Sequence, residues 1–243
     1  MADTLTIEGL TKNYGKRCVV DQVSFEMNGG QVVGILGPNG AGKTTTFYMI
    51  VGFIRANRGS IKLDGHEISR LPMYRRSRMG ISYLPQEPSI FRKLSVRDNI
   101  RLVAQTRDRL SPAKKAELTD SLIERFQLQK IAHQKGYTLS GGERRRTEIA
   151  RCLACEPSFL LLDEPFAGID PKAIYEIKLI IRDLARDGIG VLLTDHNVRD
   201  TLSITDVSHI INQGKIIVSG TKQALLANRE AREIYFGDAF EEV

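Results

Sequence analysis

The chain has 243 residues, enough for a full hydrophobic core and close to the size at which one core begins to divide into lobes. With 42% apolar and 26% charged residues it has a globular composition, and no apolar run approaches the roughly twenty residues that a membrane span needs. The net charge of +6 is compatible with an anionic lipid or nucleic acid nearby, but the basic residues are spread out, apart from short groups at 75–78 and 144–146, without interleaved aromatic residues. We therefore expect these cations on a solvated surface.

The first residues indicate the compartment, and two cysteines have the spacing of a possible metal site. Residues 1–8 contain neither a basic region nor an apolar signal core, so we expect a cytoplasmic location. Cys152 and Cys155 have C-x-x-C spacing, but they fall inside a predicted helix without a second pair nearby. We interpret them as packing residues and not as metal ligands.

An antiparallel β-layer is predicted at the start of the chain. Apolar residues alternate with polar ones between Leu5 and Glu26, and Gly59–Ile68 has the pattern of a hairpin around an Asp-Gly turn. A short apolar run at 31–36, between these two segments, is typical of a buried parallel strand. The early sequence therefore predicts two kinds of sheet.

A glycine-rich loop follows the buried strand at 31–36. Residues 37–44 read Gly-Pro-Asn-Gly-Ala-Gly-Lys-Thr, the G-x-x-x-x-G-K-[ST] pattern, and a helix is predicted after it. The glycines allow backbone N–H groups to surround phosphates, Lys43 would reach the β- and γ-phosphates, and the Thr44 hydroxyl would bind Mg²⁺. The predicted nucleotide-binding residues are Gly37, Pro38, Asn39, Gly40, Ala41, Gly42, Lys43, Thr44 and Thr45.

Two polar or aromatic residues near this loop have open interpretations. Tyr14 falls in a polar loop, which favours a surface or packing role, and stacking on a nucleotide base is the alternative. Gln86 follows a predicted strand at 81–84, where its amide could contact the metal or a water molecule.

Helical signals replace strand signals from Ser89 to about Ala154. Helix starts are indicated by Ser95, by Ser111 before Pro112, and by Ser140 with Glu143, which together form an S-x-x-E capping box. Gly141 and Gly142 leave the amides of that last helix start uncovered, which predicts a second anion site.

A later apolar strand ends in two carboxylates. Phe159–Leu162 leads into Asp163 and Glu164, and buried strands gain no stability from paired acids at their end. We assign Asp163 to Mg²⁺ through water and Glu164 to the water that attacks the γ-phosphate. His196 ends the next predicted strand, 191–194, at the edge where open α/β sheets bind ligands, which favours a functional role.

The last third of the chain predicts a hairpin over 207–218 and an amphipathic helix over 221–228. Beyond them, Tyr235, Phe236, Gly237 and Phe240 place aromatic residues in a charged tail. We expect the tail to pack on the body of the protein, with a partner surface as the alternative.

The order of Gly37–Thr44, Leu139–Glu143 and Phe159–Glu164 resembles the ATP-binding cassette ATPases over nearly the whole chain. The resemblance implies an α/β fold: a P-loop NTPase (RecA-like) core with an antiparallel β-subdomain and an inserted α-helical subdomain. It implies one ATPase domain over 1–243, with the core at 1–88 and 156–220, the helical subdomain at 89–155, and a C-terminal helix and tail at 221–243.

The same resemblance implies roles for individual residues. Tyr14 stacks on adenine, Gln86 joins the Mg²⁺ ligands, Glu164 is the catalytic glutamate and His196 the switch histidine. A groove that receives a membrane permease is implied at Ile90, Phe91 and Arg92. Because the tip of a helical lobe cannot reach its own phosphate loop, Ser140, Gly141, Gly142 and Glu143 are expected to serve a second copy in a head-to-tail homodimer.

Longer stretches around these motifs are similar to the ATPase subunits that power bacterial lipopolysaccharide export. ATPase subunits of branched-chain amino-acid importers are the alternative within transport, and a soluble cassette protein acting on ribosomes or DNA is an alternative from another class. The resemblance implies ATP and Mg²⁺ as cofactors and transmembrane subunits as partners. It also implies a position at the cytoplasmic face of the inner membrane, reached only through those partners, and no nucleic-acid partner.

Overall fold

The structure, a computed structural model, describes residues 3–236, and ten strands in this range form two sheets. The strands are β1 (Thr4–Tyr14), β2 (Arg17–Asn28), β3 (Val32–Leu36), β4 (Arg58–Leu63), β5 (His66–Glu67), β6 (Ile81–Leu84), β7 (Phe159–Asp163), β8 (Gly190–Thr194), β9 (Val207–Asn212) and β10 (Lys215–Gly220). An antiparallel sheet has the order β2-β1-β4-β5, and a six-stranded sheet has the order β10-β9-β3-β8-β7-β6. Only the β10–β9 pair of the larger sheet is antiparallel.

Helices connect these strands. They are α1 (Lys43–Val51), α2 (Met73–Arg78), α3 (Val96–Ala104), α4 (Pro112–Arg125), α5 (Gly141–Leu153), α6 (Pro171–Arg186), α7 (Val198–Leu202), α8 (Lys222–Ala227) and α9 (Arg229–Ala231), with a π-helical turn at Arg232–Phe236. The helix starts predicted at Ser95, Ser111 and Ser140 are confirmed, because each side chain accepts a hydrogen bond from a backbone N–H in the first turn. Asp170 caps α6 in the same way. The α/β fold class with helices between the strands is therefore confirmed.

The larger sheet is buried on both faces. Every residue of β3, β7 and β8 is buried, as expected for parallel strands covered on both sides. Along β7, Phe159 and Leu161 pack with α1 and the antiparallel sheet, whereas Leu160 and Leu162 pack with α5 and α6. This alternation follows from the two-residue period of a strand.

The inserted helices share their core with the larger sheet. Leu122 of α4 and Ile149 of α5 belong to the same cluster of buried side chains as Leu160 and Leu193. A continuous core makes the position of α5 sensitive to movements of the strands beneath it.

The expectation that the basic residues lie on a solvated surface is wrong for two arginines. Arg76 is 2% exposed and Arg145 is 6% exposed. The Arg76 guanidinium donates to the carbonyls of Met49 and Ile50 at the end of α1, at 2.7 and 2.6 Å. The last carbonyls of a helix have no N–H donor within the helix, and supplying one explains the burial of this cation.

One aromatic residue of the predicted tail, Tyr235, packs on the body, as expected. Tyr235 lies against a cluster that contains Leu225 and Ala231. The predicted tail residues Gly237 and Phe240 lie outside the described residues. No helix within residues 3–236 is long and apolar enough to cross a membrane.

A buried histidine on β9 predicts pH-dependent stability. Nδ1 of His209 lies 2.7 Å from the Ser219 hydroxyl, Nε2 has no partner within the described part of the chain, and the ring packs against Phe25. Burial lowers the pKa of His209 from 6.5 to about 4. Between these two values the unfolded chain binds a proton that the native protein excludes, so the free energy of unfolding should fall by about 3 kcal/mol as the pH drops through this window.

Denaturant unfolding at pH 7.5 and pH 4.5 measures this loss. His209→Gln keeps a polar group for Ser219 without a titrating ring, so its stability should depend less steeply on pH. His66→Gln, at an exposed histidine, is the matched control and should behave like the wild type. An unchanged pH slope in His209→Gln would contradict the prediction.

Candidate functional site

Four loops meet at the carboxyl edge of the larger sheet. They follow β3, β6, β7 and β8, and the end of β7 lies beside the end of β8, with Asp163 opposite Thr194 in register. A cavity of about 350 Å³ opens between them. It is lined by Arg17, Val19, Asn39, Gly40, Gly42, Lys43, Thr44, Thr45, Gln86, Glu164 and His196. Parallel strand order therefore brings together residues that are up to about 180 positions apart in the sequence.

The glycines of the phosphate loop are required by backbone geometry at two positions. Gly37 has a φ of +150°, and a Cβ atom there would lie 2.1 Å from the carbonyl oxygen of Ile211. Gly42 has a φ of +108°, and a Cβ atom would lie 2.7 Å from the carbonyl oxygen of Val19. Gly42 also precedes α1 and supplies no side-chain cap, so the first amides of the helix stay available to an anion.

Lys43 is held by the loop itself. Its ammonium donates to the carbonyl oxygens of Gly37 and Pro38, at 2.7 and 3.0 Å. Burial lowers the pKa of Lys43, and the carboxylates of Glu164 and Asp163 oppose this shift. An arriving phosphate would offer the buried cation a charged partner in place of two neutral carbonyls, which favours anion binding.

The acidic pair has two distinct environments. The Asp163 carboxylate is buried and accepts a hydrogen bond from the Tyr83 hydroxyl at 3.2 Å, and burial raises its pKa. Glu164 has a φ of +47°, and its backbone N–H donates to the carbonyl of Thr194 at 2.8 Å. A left-handed conformation in a residue other than glycine is strained, and such strain is concentrated at functional sites.

Both carboxylate oxygens of Glu164 are engaged. Oε1 lies 2.6 Å from Nε2 of His196, and Oε2 accepts a hydrogen bond from the Gln86 amide at 2.6 Å. These contacts bring together three residues that the sequence placed on separate loops. One contact on each oxygen leaves acceptor capacity on the carboxylate for a water molecule, because an ionised carboxylate has about four lone-pair sites.

Tyr14 lies at the edge of this site and not in the cavity lining. It ends β1, its side chain is half exposed, and the Lys12 ammonium lies 5.3 Å from its ring centroid. The same hairpin instead contributes Arg17 and Val19 to the lining. Sequence reasoning missed both residues, since nothing in their local pattern marks a ligand site.

A second cavity, of about 280 Å³, adjoins the first at the tip of the phosphate loop, where Asn39 and Gly40 line both. The turn between β9 and β10 forms part of its wall with Asn212 and Gln213, and this turn is tied to the loop because Gly214 N–H donates to the carbonyl of Ala41 at 2.9 Å. The lining residues are Arg17, Cys18, Val19, Pro38, Asn39, Gly40, Ala41, Asn212 and Gln213.

The predicted second anion site at the start of α5 lies apart from both cavities. The capping box is formed, with the Ser140 side chain accepting from Glu143 N–H and the Glu143 carboxylate accepting from Ser140 N–H. Hydrogen bonds from the Ser140 N–H and hydroxyl to the Glu143 carboxylate lower the pKa of Glu143. Gly141 and Gly142 face Ile169 and Ala173, and none of the four residues lines either cavity.

The predicted groove residues follow β6. Ile90 is buried, Arg92 is exposed, and Phe91 is 47% exposed with the Arg151 guanidinium 5.2 Å from its ring centroid. The backbone N–H groups of Ser89 and Ile90 donate to the Glu148 carboxylate of α5, at 2.6 and 3.0 Å. The loop therefore cannot move far without α5.

Arg145 connects α5 to the catalytic edge. Its guanidinium lies 3.6 Å from the Glu148 carboxylate and donates to the carbonyl oxygens of Pro85 and Asp163, at 3.0 and 3.1 Å. Burial lowers the pKa of Arg145. This buried cation, with two carbonyl acceptors and one ion-pair partner, links the groove loop, the start of the Gln86 loop and the end of β7 in one network.

The donor set at the site consists of oxygen atoms, the ligands that Mg²⁺ prefers. Thr44 lines the larger cavity, and the Asp163 carboxylate lies near Lys43 on the same sheet edge. Among the described residues there is no cluster of three or more His, Cys, Asp or Glu side chains that could hold a metal ion without help from a ligand. These residues fit a magnesium ion that is carried largely by phosphate oxygens.

Comparisons with known proteins agree with this geometry. Residues 20–167 match the ABC transporter family. The chain is 51% identical over 236 residues to the lipopolysaccharide export system ATP-binding protein LptB of Haemophilus influenzae, covering 97% of this chain and 98% of that protein. It is 50% identical over 237 residues to LptB of Escherichia coli K12, covering 98% of each.

A solved structure has the same architecture. The ADP conformation of MJ1267, an ATP-binding cassette of an ABC transporter, superposes with a TM-score of 0.86 at 27% identity. The superposition covers 97% of this chain and 99% of that chain. A TM-score of this size over nearly both full chains extends the likeness from the motifs to the whole fold.

Proposed function

This chain belongs to the ABC transporter family and is an ATP-hydrolysing enzyme, and we propose that it powers the export of lipopolysaccharide from the inner membrane to the outer membrane. The observation that carries the proposal is its identity of about half with LptB proteins from two bacteria over nearly the full length. The branched-chain amino-acid importer alternative remains an outcome of the test described below.

The geometry of the site supports a separate role for each group of residues in ATP hydrolysis. The amides of Gly37–Thr44 and the Lys43 ammonium bind the phosphates, with Thr45 at the same helix start. Thr44, Gln86 and Asp163, the last through water, would hold Mg²⁺, which would neutralise charge on the phosphates. Tyr14 stacks on adenine from the edge of the site.

Glu164 orients and polarises the attacking water, and His196 steadies charge that develops on the γ-phosphate. Gln86 and His196 each contact one Glu164 oxygen, which places both side chains beside the carboxylate that acts on the water. Positioning contributes more than covalent chemistry in this kind of phosphoryl transfer.

Ser140, Gly141, Gly142 and Glu143 complete the site of a second copy. Their separation from both cavities of their own chain supports this assignment. Two chains related by a two-fold axis would form two composite sites, each with a phosphate loop from one chain and an α5 start from the other.

Transmembrane subunits dock at Ile90, Phe91 and Arg92, and the protein sits at the cytoplasmic face of the inner membrane only through them. Exposed Phe91 offers an apolar anchor, and the Glu148–Arg145 network leads from this groove to Asp163. Closure of the dimer on ATP would therefore move the groove. Nucleic acid has no role in this scheme.

Affinity purification of the tagged chain from detergent-solubilised membranes tests the proposal, with the co-purifying proteins identified by mass spectrometry. We expect a pair of lipopolysaccharide export subunits, and Phe91→Ala should reduce their recovery about tenfold. Tyr175→Ala, at an aromatic residue exposed on α6, is the matched control. Recovery of importer permeases, or of ribosomes without membrane proteins, would contradict the proposal.

A further inference from the structure

The wall of the nucleotide cleft carries an unpaired guanidinium. Arg17 is exposed, begins β2 and lies opposite Tyr14 in the β1–β2 register. Within residues 3–236, no side chain or carbonyl forms a hydrogen bond or ion pair with its guanidinium. Arg145, by comparison, is buried, donates hydrogen bonds to two carbonyls and forms an ion pair with Glu148. The Arg17 cation is therefore available to a ligand.

The position of Arg17 relates it to one part of a nucleotide. Only four residues, Arg17, Val19, Asn39 and Gly40, line both cavities. The larger cavity contains Gln86, Glu164 and His196, so it holds the end of the triphosphate at which hydrolysis occurs. The smaller cavity has no such residues in its lining and suits the nucleoside. Arg17 thus lies at the junction, where the nucleoside meets its first phosphates.

The electrostatics of the junction favour an anion there. The uncapped start of α1 and the Lys43 ammonium already make the loop side of the cleft positive. The carboxylates of Glu164 and Asp163 lie toward the hydrolytic end, close to Lys43. A guanidinium makes planar, paired hydrogen bonds with phosphate oxygens, so Arg17 matches the bridging and non-bridging oxygens of this region in both charge and shape.

We propose that Arg17 is a nucleotide-binding residue that pairs with the α- and β-phosphates. The inference rests on the proposed function of the cleft, and it adds a contact that the glycine-rich motif does not contain. Because ATP and ADP share these two phosphates, Arg17 contributes to the binding of both. It differs in this respect from a residue that contacts the γ-phosphate, which distinguishes ATP from ADP.

Fluorescence titration of the full chain with MANT-ATP and MANT-ADP tests the proposal. Arg17→Gln should weaken the binding of both by a similar factor of about ten, the effect expected for loss of a charge-assisted contact at a partly exposed site. Arg17→Lys should restore part of the affinity, because it keeps the charge and loses the planar pairing. In ATPase assays, Arg17→Gln should raise KM more than it lowers kcat.

Lys16→Gln removes the same charge from the neighbouring exposed position, which lines neither cavity, and should bind both nucleotides like the wild type. Equal affinities in Arg17→Gln and wild type, with the wild type hydrolysing ATP, would overturn this inference alone. Weaker ATP binding with unchanged ADP binding would overturn it as well, since it would place Arg17 at the γ-phosphate. A wild-type chain that binds neither nucleotide would instead overturn the proposed function.

Discussion

Glu164→Gln is expected to lose steady-state ATP hydrolysis by a factor of 10² to 10⁴ while retaining ATP binding. The amide has nearly the same size as the carboxylate and can still contact Gln86 and His196, whose partner atoms lie 2.6 Å from the Glu164 oxygens. It cannot accept the proton of the attacking water. The ATP-bound dimer should therefore accumulate, because closure precedes hydrolysis and reopening follows it.

Phosphate release measures the loss of turnover, and gel filtration with and without ATP measures the dimer. Glu117→Gln, at an exposed position of α4, is a matched control and should match the wild type in both measurements. Steady-state hydrolysis at an undiminished rate in Glu164→Gln would remove this residue from its proposed role. Loss of ATP binding would show instead that its carboxylate supports the fold of the site.

Mixed dimers of Lys43→Ala and Ser140→Arg chains are expected to keep about half of the wild-type hydrolysis, although each variant alone is inactive. Lys43→Ala removes the buried ammonium that the loop carbonyls hold. Ser140→Arg removes the cap and places a bulky cation at the start of α5. If the two elements meet across the dimer, the mixed species contains one site with both elements intact and one site with neither.

The control carries both substitutions on one chain, paired with a wild-type partner. In this dimer each composite site contains one altered element, so hydrolysis should be lost. Two affinity tags isolate the mixed species, and thermal unfolding checks that Ser140→Arg remains folded. The reverse pattern, an active control and inactive mixed dimers, would place Ser140 and Lys43 in the same site of one chain.

A network of buried contacts connects the proposed docking groove to the end of β7, where hydrolysis takes place. Glu148 holds the loop of Ser89 and Ile90, and Arg145 holds the end of β7 at the carbonyl of Asp163. A displacement of α5 that follows nucleotide-dependent closure therefore moves the loop that we propose as the docking site. Buried, paired charges transmit such a displacement well, since they resist separation in a low-dielectric interior.

Several features could be predicted because they depend on neighbours in the chain. The phosphate loop needs glycine at positions with positive φ and a helix directly after it, and both requirements are visible as spacing around Gly37 and Gly42. The caps at Ser140 and Asp170 are equally local, as are the period-two alternation of β1 and the apolar run of β7 that ends at Asp163.

Other features depend on the tertiary structure. Arg76 belongs to a basic cluster in the sequence, but its acceptors are carbonyls at the end of α1, more than twenty residues earlier, so its burial could not be predicted. Gln86 and His196 both contact the Glu164 carboxylate, whereas the sequence predicted only that these residues follow neighbouring strands.

The sequence by itself determined the chemistry of this protein, because a phosphate loop, a capped glycine pair and a strand ending in two acids each consist of residues adjacent in the chain. Only the tertiary structure decided the shape of the cleft. Arg17 lines the cleft from the antiparallel sheet, the turn at Asn212–Gly214 reaches the phosphate loop from strands distant in sequence, and the start of α5 lies away from the cavities beside that loop. Such contacts depend on how sheets and helices are stacked, which local spacing does not specify.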